Sequence, residues 1–249
     1  MYKINKYNKK ILIVYLNNNF FYEKLFLDFL KNTSNISKVI SIPSKQKMNL
    51  NKLIYYFRFY KLKAFIYLVF NNLICKLKKE VKKEFKKKEI EHKEFDSFDN
   101  FRSEILNSKN LDLIISTVDF KIEKELLSIP KDGWLNIHFG DLRRYRGINS
   151  PFWTMLNEEE EFTMTIHLMG LDYDNGPIIT ERNLKNNQQH FFKTIRLLFS
   201  MASEELYRIY QNYNKIYDAK IINLKNSKYF SEPKIEDSKK FLKKGFKFI

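Results

Sequence analysis

The chain has 249 residues, enough for one α/β domain with a small appendage, and 44% of them are apolar, which excludes a disordered chain. Its single cysteine, Cys75, excludes a disulfide scaffold and a cysteine zinc site. The net charge of +16 leaves three readings open: attraction of anionic small molecules, binding of a polyanion, or lysines on solvated faces under a compositional bias.

The first residues are basic and are followed by six apolar positions before Asn17, with no small-residue cleavage site. That does not read as a signal peptide, and the expected compartment is the cytoplasm. Residues 11–15 (ILIVY) form a continuous apolar run, suited to a strand buried on both faces. Asn17, Asn18 and Asn19 read as a turn, residues 20–30 as a helix, and residues 39–42 as a second strand stopped by Pro43. This β-α-β opening suggests an α/β fold on an open doubly wound, mostly parallel sheet. It has no GxGxxG turn, and the chain's 6 glycines include no Walker loop.

Residues 50–88 read as helical, ending in a run of mixed charge that suits a solvated helix face with i,i+4 Glu–Lys pairs or a polyanion-binding helix. Ala64 to Cys75 is the most apolar stretch. It is broken by Asn71 and Asn72 and preceded by Arg58, Lys61 and Lys63, so it is too short and too charged at its edge to span a bilayer. No membrane partner is expected. Residues 111–116 read as a strand and 123–127 as a short helix ended by Pro130. Residues 134–138 (WLNIH) alternate, with Trp134, Asn136 and His138 on one face. Then follow a helix at 150–156, a strand at 162–169, a turn at Asp174-Asn175-Gly176 and a strand at 177–180. An amphipathic helix spans 190–213, and a short polar and aromatic tail holds a candidate strand at 220–222.

Chemistry concentrates between 134 and 177. An Asn and a His facing one way from a strand end can donate two hydrogen bonds to one developing oxyanion. A nearby carboxylate, Asp172 or Asp174, would stabilise the imidazolium. No activated Ser or Cys is apparent, which points to direct attack of an amine on an acyl donor.

At these residues the chain resembles the formyltransferases that use N10-formyltetrahydrofolate. Their pattern N-x-H-x-S-x-L-P-x-[YW]-R-G stands here as NIHFGDLRRYRG, their G-V-T-I-H as TMTIH, and their Asp-Thr-Gly as Asp174-Asn175-Gly176. Gly140, Arg143, Thr163 and Asn175 depart from that pattern, and none removes a catalytic group. The resemblance covers about residues 111–180. It implies a Rossmann-like core, N10-formyltetrahydrofolate as donor, no metal, and Asn136, His138 and Asp174 as the catalytic groups. Asn136 would bind the formyl oxygen, His138 would stabilise the intermediate and take a proton from the amine, and Asp174 would polarise His138. Thr117, Val118, Asp119, Phe120 and Ile122 would lie along the pterin, through backbone contacts.

Within the family the chain is most similar to the sugar N-formyltransferases, whose acceptor is a dTDP-linked 4-amino-4,6-dideoxy sugar or its 3-amino isomer, for O-antigen or another surface glycan. The methionyl-tRNA formyltransferases carry a sizeable C-terminal domain, whereas about 35 residues follow the long helix here. Tyr145, Arg146, Gly147, Trp153 and Tyr229 are then the substrate-side candidates. Tyr229 would stack on a base or simply pack the tail, and Arg146, with Arg143 or Arg144 behind it, would meet a diphosphate or anchor a turn. The division implied is a catalytic domain at 1–185 and a C-terminal helix and tail at 186–249, which if exposed suits a homodimer. No nucleic-acid partner is expected. The alternatives are a tRNA or purine-pathway formyltransferase, a formyltetrahydrofolate hydrolase, and a basic RNA-binding protein on this scaffold.

Overall fold

The structure is a computed structural model that describes residues 9–249 apart from 18, 35, 44–47, 188, 223, 225 and 226, so Asn18 of the expected turn lies outside the described residues. Six apolar residues make β1 (Ile11–Leu16), buried along its whole length. Alternate side chains of a strand point to opposite faces. Ile11, Ile13 and Tyr15 therefore enter one hydrophobic core, and Leu12, Val14 and Leu16 a second. β2 (Ile36–Ile42) and β4 (Leu113–Thr117) flank β1 in parallel, and β5 (Trp134–His138) lies parallel beside β4. β7 (Glu161–Leu168) and β8 (Ile178–Lys185) complete that side as an antiparallel pair. With β3 (Glu91–Glu94) at the far edge, the seven strands run in the order β3-β2-β1-β4-β5-β7-β8. This is the open, mostly parallel α/β sheet read from the sequence. The chain reverses its direction of winding between β1 and β4, the place where such sheets bind ligands.

Helices cover both faces. α4 (Phe98–Leu106) and α5 (Lys124–Leu127) send Phe101, Ile105 and Leu126 into the second core. α1 (Phe20–Lys31), capped by the Asn19 side chain, covers the first core. It is joined there by α6 (Ser150–Leu156), α7 (Phe191–Gln211) and α8 (Ile235–Lys243). Each large apolar side chain fully buried in this way contributes about 1.5–3 kcal/mol.

Residues 50–88 are not one helix. α2 (Leu50–Lys78) is interrupted at Lys61, where φ is 65° and ψ 168°. Lys79 then takes a left-handed conformation before α3 (Glu80–Lys87). The mixed-charge run does not form the expected i,i+4 ladder: Val81 and Phe85 of α3 are buried, and Lys82 pairs with Glu94 of β3 at 2.8 Å. β3 itself has no apolar residue to announce it. As an edge strand it tolerates that, and His92 packs on the Phe85 ring.

The tail is more ordered than the sequence suggests. Lys220 makes a single bridge to Ile178 in place of a strand, and residue 223 beyond it lies outside the described residues. β9 (Lys228–Phe230) runs parallel to β6 (Tyr145–Gly147), and α8 follows. The C-terminal aromatics expected as an exposed surface are largely inside: Phe241 and Phe248 lie in the first core with α7.

Candidate active site

β5 sets the site. Its alternation puts Trp134, Asn136 and His138 on one face. Trp134 is pinned there by its Nε1, which donates to Ser116 Oγ on β4 at 2.8 Å. Asn136 sits beside Ser116 of β4 and opposite His167 of β7. Asn136 and His138 are both buried.

His138 is held on every side. Its Nε2 lies 2.6 Å from the Tyr145 carbonyl, which can only accept, so the ring carries a proton on Nε2. Ser150 Oγ, buried, is 3.2 Å from that nitrogen and donates to the same carbonyl. On the other edge Nδ1 is 3.4 Å from Asp174 Oδ1. The close fit explains Gly140: a Cβ there would lie 2.8 Å from His138 Nε2 and 2.7 Å from Ser150 Cβ.

Asp174 is brought in by a loop rather than by a strand. Its φ of 47° is left-handed. Its Oδ2 accepts the Gly147 N–H at 2.7 Å, while Arg146 donates to the Tyr173 carbonyl from Nε (3.2 Å) and Nη2 (2.9 Å). Gly147 has a φ of 95°, and a Cβ there would lie 2.3 Å from the Phe230 carbonyl oxygen. β6 thus clamps the Asp174 loop from one side and pairs with β9 on the other. The competing carboxylate, Asp172, is exposed and paired with Lys121 at 2.7 Å.

His167 was not among the candidate residues, yet the structure puts it in the cluster. Its Nδ1 donates to the Leu168 carbonyl at 2.8 Å, and its Nε2 lies 3.9 Å from Asp174 Oδ1. Burial pushes its pKa down to about 4 against the pull of Asp174, so it is neutral near pH 7. Asn136 Oδ1 and His167 Nε2, cross-strand neighbours, are both buried without a hydrogen-bond partner. An unpaired buried polar atom costs about 1–3 kcal/mol.

The loop after β4 is of another kind. Thr117 Oγ1 is buried and also unpartnered. Val118 is half-buried and Asp119 exposed, while Phe120 and Ile122 are sunk in the second core beside Phe101 and Trp134. The side chains of Phe120 and Ile122 hold the loop in place.

The substrate-side candidates separate. The Tyr145 side chain is committed to packing: its hydroxyl donates to Glu159 at 2.6 Å, and its ring stacks on Phe230. Its part in the site is its carbonyl. Trp153 donates to the Ser231 carbonyl at 3.2 Å and packs on Phe230, fastening the returning tail. Arg143 pairs with Glu181 and Arg144 with Glu159. Tyr229 stands opposite Arg146 in the β6–β9 pair, half exposed, with its ring 5.9 Å from that of Tyr173. Lys121 Nζ lies 5.3 Å over the Tyr173 ring. The result is an open aromatic ledge with cationic neighbours, next to Asp174. Tyr173 and Lys121 carried no sequence signal, because what unites them with Tyr229 is tertiary pairing.

The family described as formyl transferase matches residues 37–193, well over half of the chain. The chain belongs to this family. Methionyl-tRNA formyltransferase of Thermodesulfovibrio yellowstonii is 32% identical over 109 residues, covering 43% of this chain and 35% of that relative, so the match spans about a third of the relative's length. The fold is shared with the Helicobacter canadensis N-formyltransferase in complex with folinic acid and dTDP-3-aminofucose, at a TM-score of 0.54, 18% identity, and coverage of 93% of this chain and 79% of that one. It is shared as well with phosphoribosylglycinamide formyltransferase of Streptococcus pneumoniae, at a TM-score of 0.54, 15% identity, and coverage of 84% and 97%.

Proposed function

We propose that the chain transfers a formyl group from N10-formyltetrahydrofolate to the amine of a nucleotide-linked amino sugar. The observation that carries this reading is the meeting of His138 and Asp174, with Nδ1 3.4 Å from Oδ1, on the strand face that also carries the buried Asn136. The residues fit an acyl donor: Asn136 of β5 offers an amide N–H, and the buried, unpartnered Thr117 Oγ1 ends β4 beside the place where the sheet reverses. When bound, the folate supplies an activated formyl group, held by the 117–122 loop.

The chain's own residues then have distinct tasks. Asn136 donates its amide N–H to the acyl oxygen as that oxygen gains negative charge. His138 cannot release Nε2–H, because the Tyr145 carbonyl holds it. The nitrogen left for proton exchange is therefore Nδ1, which faces Asp174 Oδ1 across 3.4 Å. Once Nδ1 has taken the proton of the attacking amine, His138 is a cation beside the developing oxyanion and Asp174 stabilises it. As the amine attacks it must lose one proton, and the departing donor nitrogen must gain one. The His138–Asp174 pair is placed to move it, so no net proton is consumed.

Ser150, His138 and Asp174 also form a line like that of a serine hydrolase. The likeness ends at Nε2. That nitrogen donates to Tyr145 and has no lone pair to take a proton from Ser150 Oγ, so direct attack by the amine is the better reading.

The sugar acceptor is supported by the ledge of Tyr229 and Tyr173, which suits a base, and by Arg146 and Lys121, which suit a diphosphate. The Helicobacter canadensis relative takes such a ligand. The test is incubation with N10-formyltetrahydrofolate and a panel of dTDP-linked 3-amino and 4-amino sugars, read by mass. A formylated sugar is expected. Formylation of methionyl-tRNA or phosphoribosylglycinamide instead would overturn the acceptor, and transfer to no amine at all would overturn the whole reading.

A further inference from the structure

α2 carries large apolar side chains into water. Leu53, Ile54 and Phe57 before the break at Lys61, and Ile66, Phe70 and Leu73 after it, are each between 41% and 58% exposed. Their spacing of three and four residues makes each set one helix face. The opposite side of the helix sends Phe59 and Ala64 into the core. The two exposed faces meet, because Phe57 and Leu62 line a single groove of about 310 Å³ with Ile235 of α8, rimmed by Arg58, Lys61 and Lys239.

The charge on this part of the chain is one-sided. Residues 48–79 contain no Asp or Glu, and they hold Lys52, Arg58, Lys61, Lys63, Lys76, Lys78 and Lys79. Soluble monomers rarely leave so continuous an apolar strip in water. A helix with an apolar face and basic flanks is the pattern that lies in the headgroup layer of a bilayer. No helix among the described residues is long and apolar enough to cross a membrane, and resting on one needs no such span.

We propose that the exposed face of α2 docks on a bilayer surface bearing anionic lipid headgroups. Leu53, Phe57, Ile66, Phe70 and Leu73 enter the interface, and Arg58, Lys61, Lys63 and Lys239 meet the phosphates around the Phe57–Leu62 groove. Charge complementarity selects this occupant over a second copy of the chain. Lys52 already pairs with Glu232, but a twofold contact through the groove would set Arg58, Lys61 and Lys239 against the same residues, and no acid lines that groove. The proposal is independent of the formyl-transfer reading, since none of these residues belongs to the candidate active site.

The test is flotation of the full chain with phosphatidylcholine vesicles, with and without phosphatidylglycerol as about a third of the lipid. Flotation with the anionic vesicles alone is expected. Phe70→Glu with Leu73→Glu should abolish it, and each of Lys61→Gln and Lys63→Gln should weaken partitioning about fivefold. Circular dichroism checks that the variants fold, and the lysine variants stand in if the double variant does not. No flotation, or equal flotation with neutral vesicles, would overturn the proposal. So would a concentration-dependent dimer in sedimentation velocity that Phe70→Glu dissolves, because that result assigns the face to a second copy.

Discussion

Between β5 and the loop before β8, an amide and two imidazoles are buried beside a half-buried carboxylate. Along α2, a row of Leu, Ile and Phe side chains stands in water. Each region departs from the usual distribution of polar and apolar groups, and in opposite senses. Burying Asn136 and His167 raises the free energy of the fold unless a ligand meets their unpaired Oδ1 and Nε2. Exposing Phe70 and Leu73 forgoes the burial that a core would offer. Departures of this kind concentrate where a protein meets something else. On the readings proposed above, the buried one receives a small molecule and the exposed one rests on a surface.

The comparison can be tested first within α2 itself. Phe59→Ala, on its buried side, should cost about 3–5 kcal/mol of stability by chemical denaturation, whereas Phe70→Ala on its exposed side should stay within about 0.5 kcal/mol. Equal losses would show that the outer face is covered. In the active-site cluster, Asn136→Ala should lower turnover about 10²- to 10³-fold, with thermal unfolding little changed. A collapse of the fold instead would make Asn136 a packing residue.

His167 gives a pH signature. Its folded pKa of about 4 lies below the ordinary 6.5, so between those values the unfolded chain binds the extra proton. Stability should therefore rise as pH increases from about 4 to 6.5 and level off above. His167→Gln should flatten that slope, and an unchanged slope would mean that another group causes it. Ser150→Ala should have the smallest effect: about 1 kcal/mol of stability and turnover within a few-fold of the parent. Loss of turnover by several orders of magnitude would revive the serine-nucleophile alternative.

Much of the sheet was legible in the sequence because β1, β4 and β5 are buried runs whose composition leaves little choice. Asn136 and His138 could be paired from their two-residue spacing alone. Asp174 could not be chosen over Asp172 by residue type. What selects it is the Gly147 N–H, contributed 27 residues earlier, together with a left-handed backbone at Asp174. The same holds for His167, which looks like one more alternating strand residue until β7 is set against β5. The breaks at Lys61 and Lys79 fall inside an uninterrupted helical pattern, and β6 and β9 are three-residue strands too short to show a period. Long-range pairing is what the sequence pattern does not carry.

The most direct test compares the parent with His138→Asn in single-turnover formyl transfer from N10-formyltetrahydrofolate to the dTDP-amino sugar that the panel identifies. The His138–Asp174 pair predicts a loss of about 10²- to 10⁴-fold in the chemical step, with the folded state intact and the donor still bound. A His138→Asn protein that transfers formyl at close to the parental rate would contradict the account.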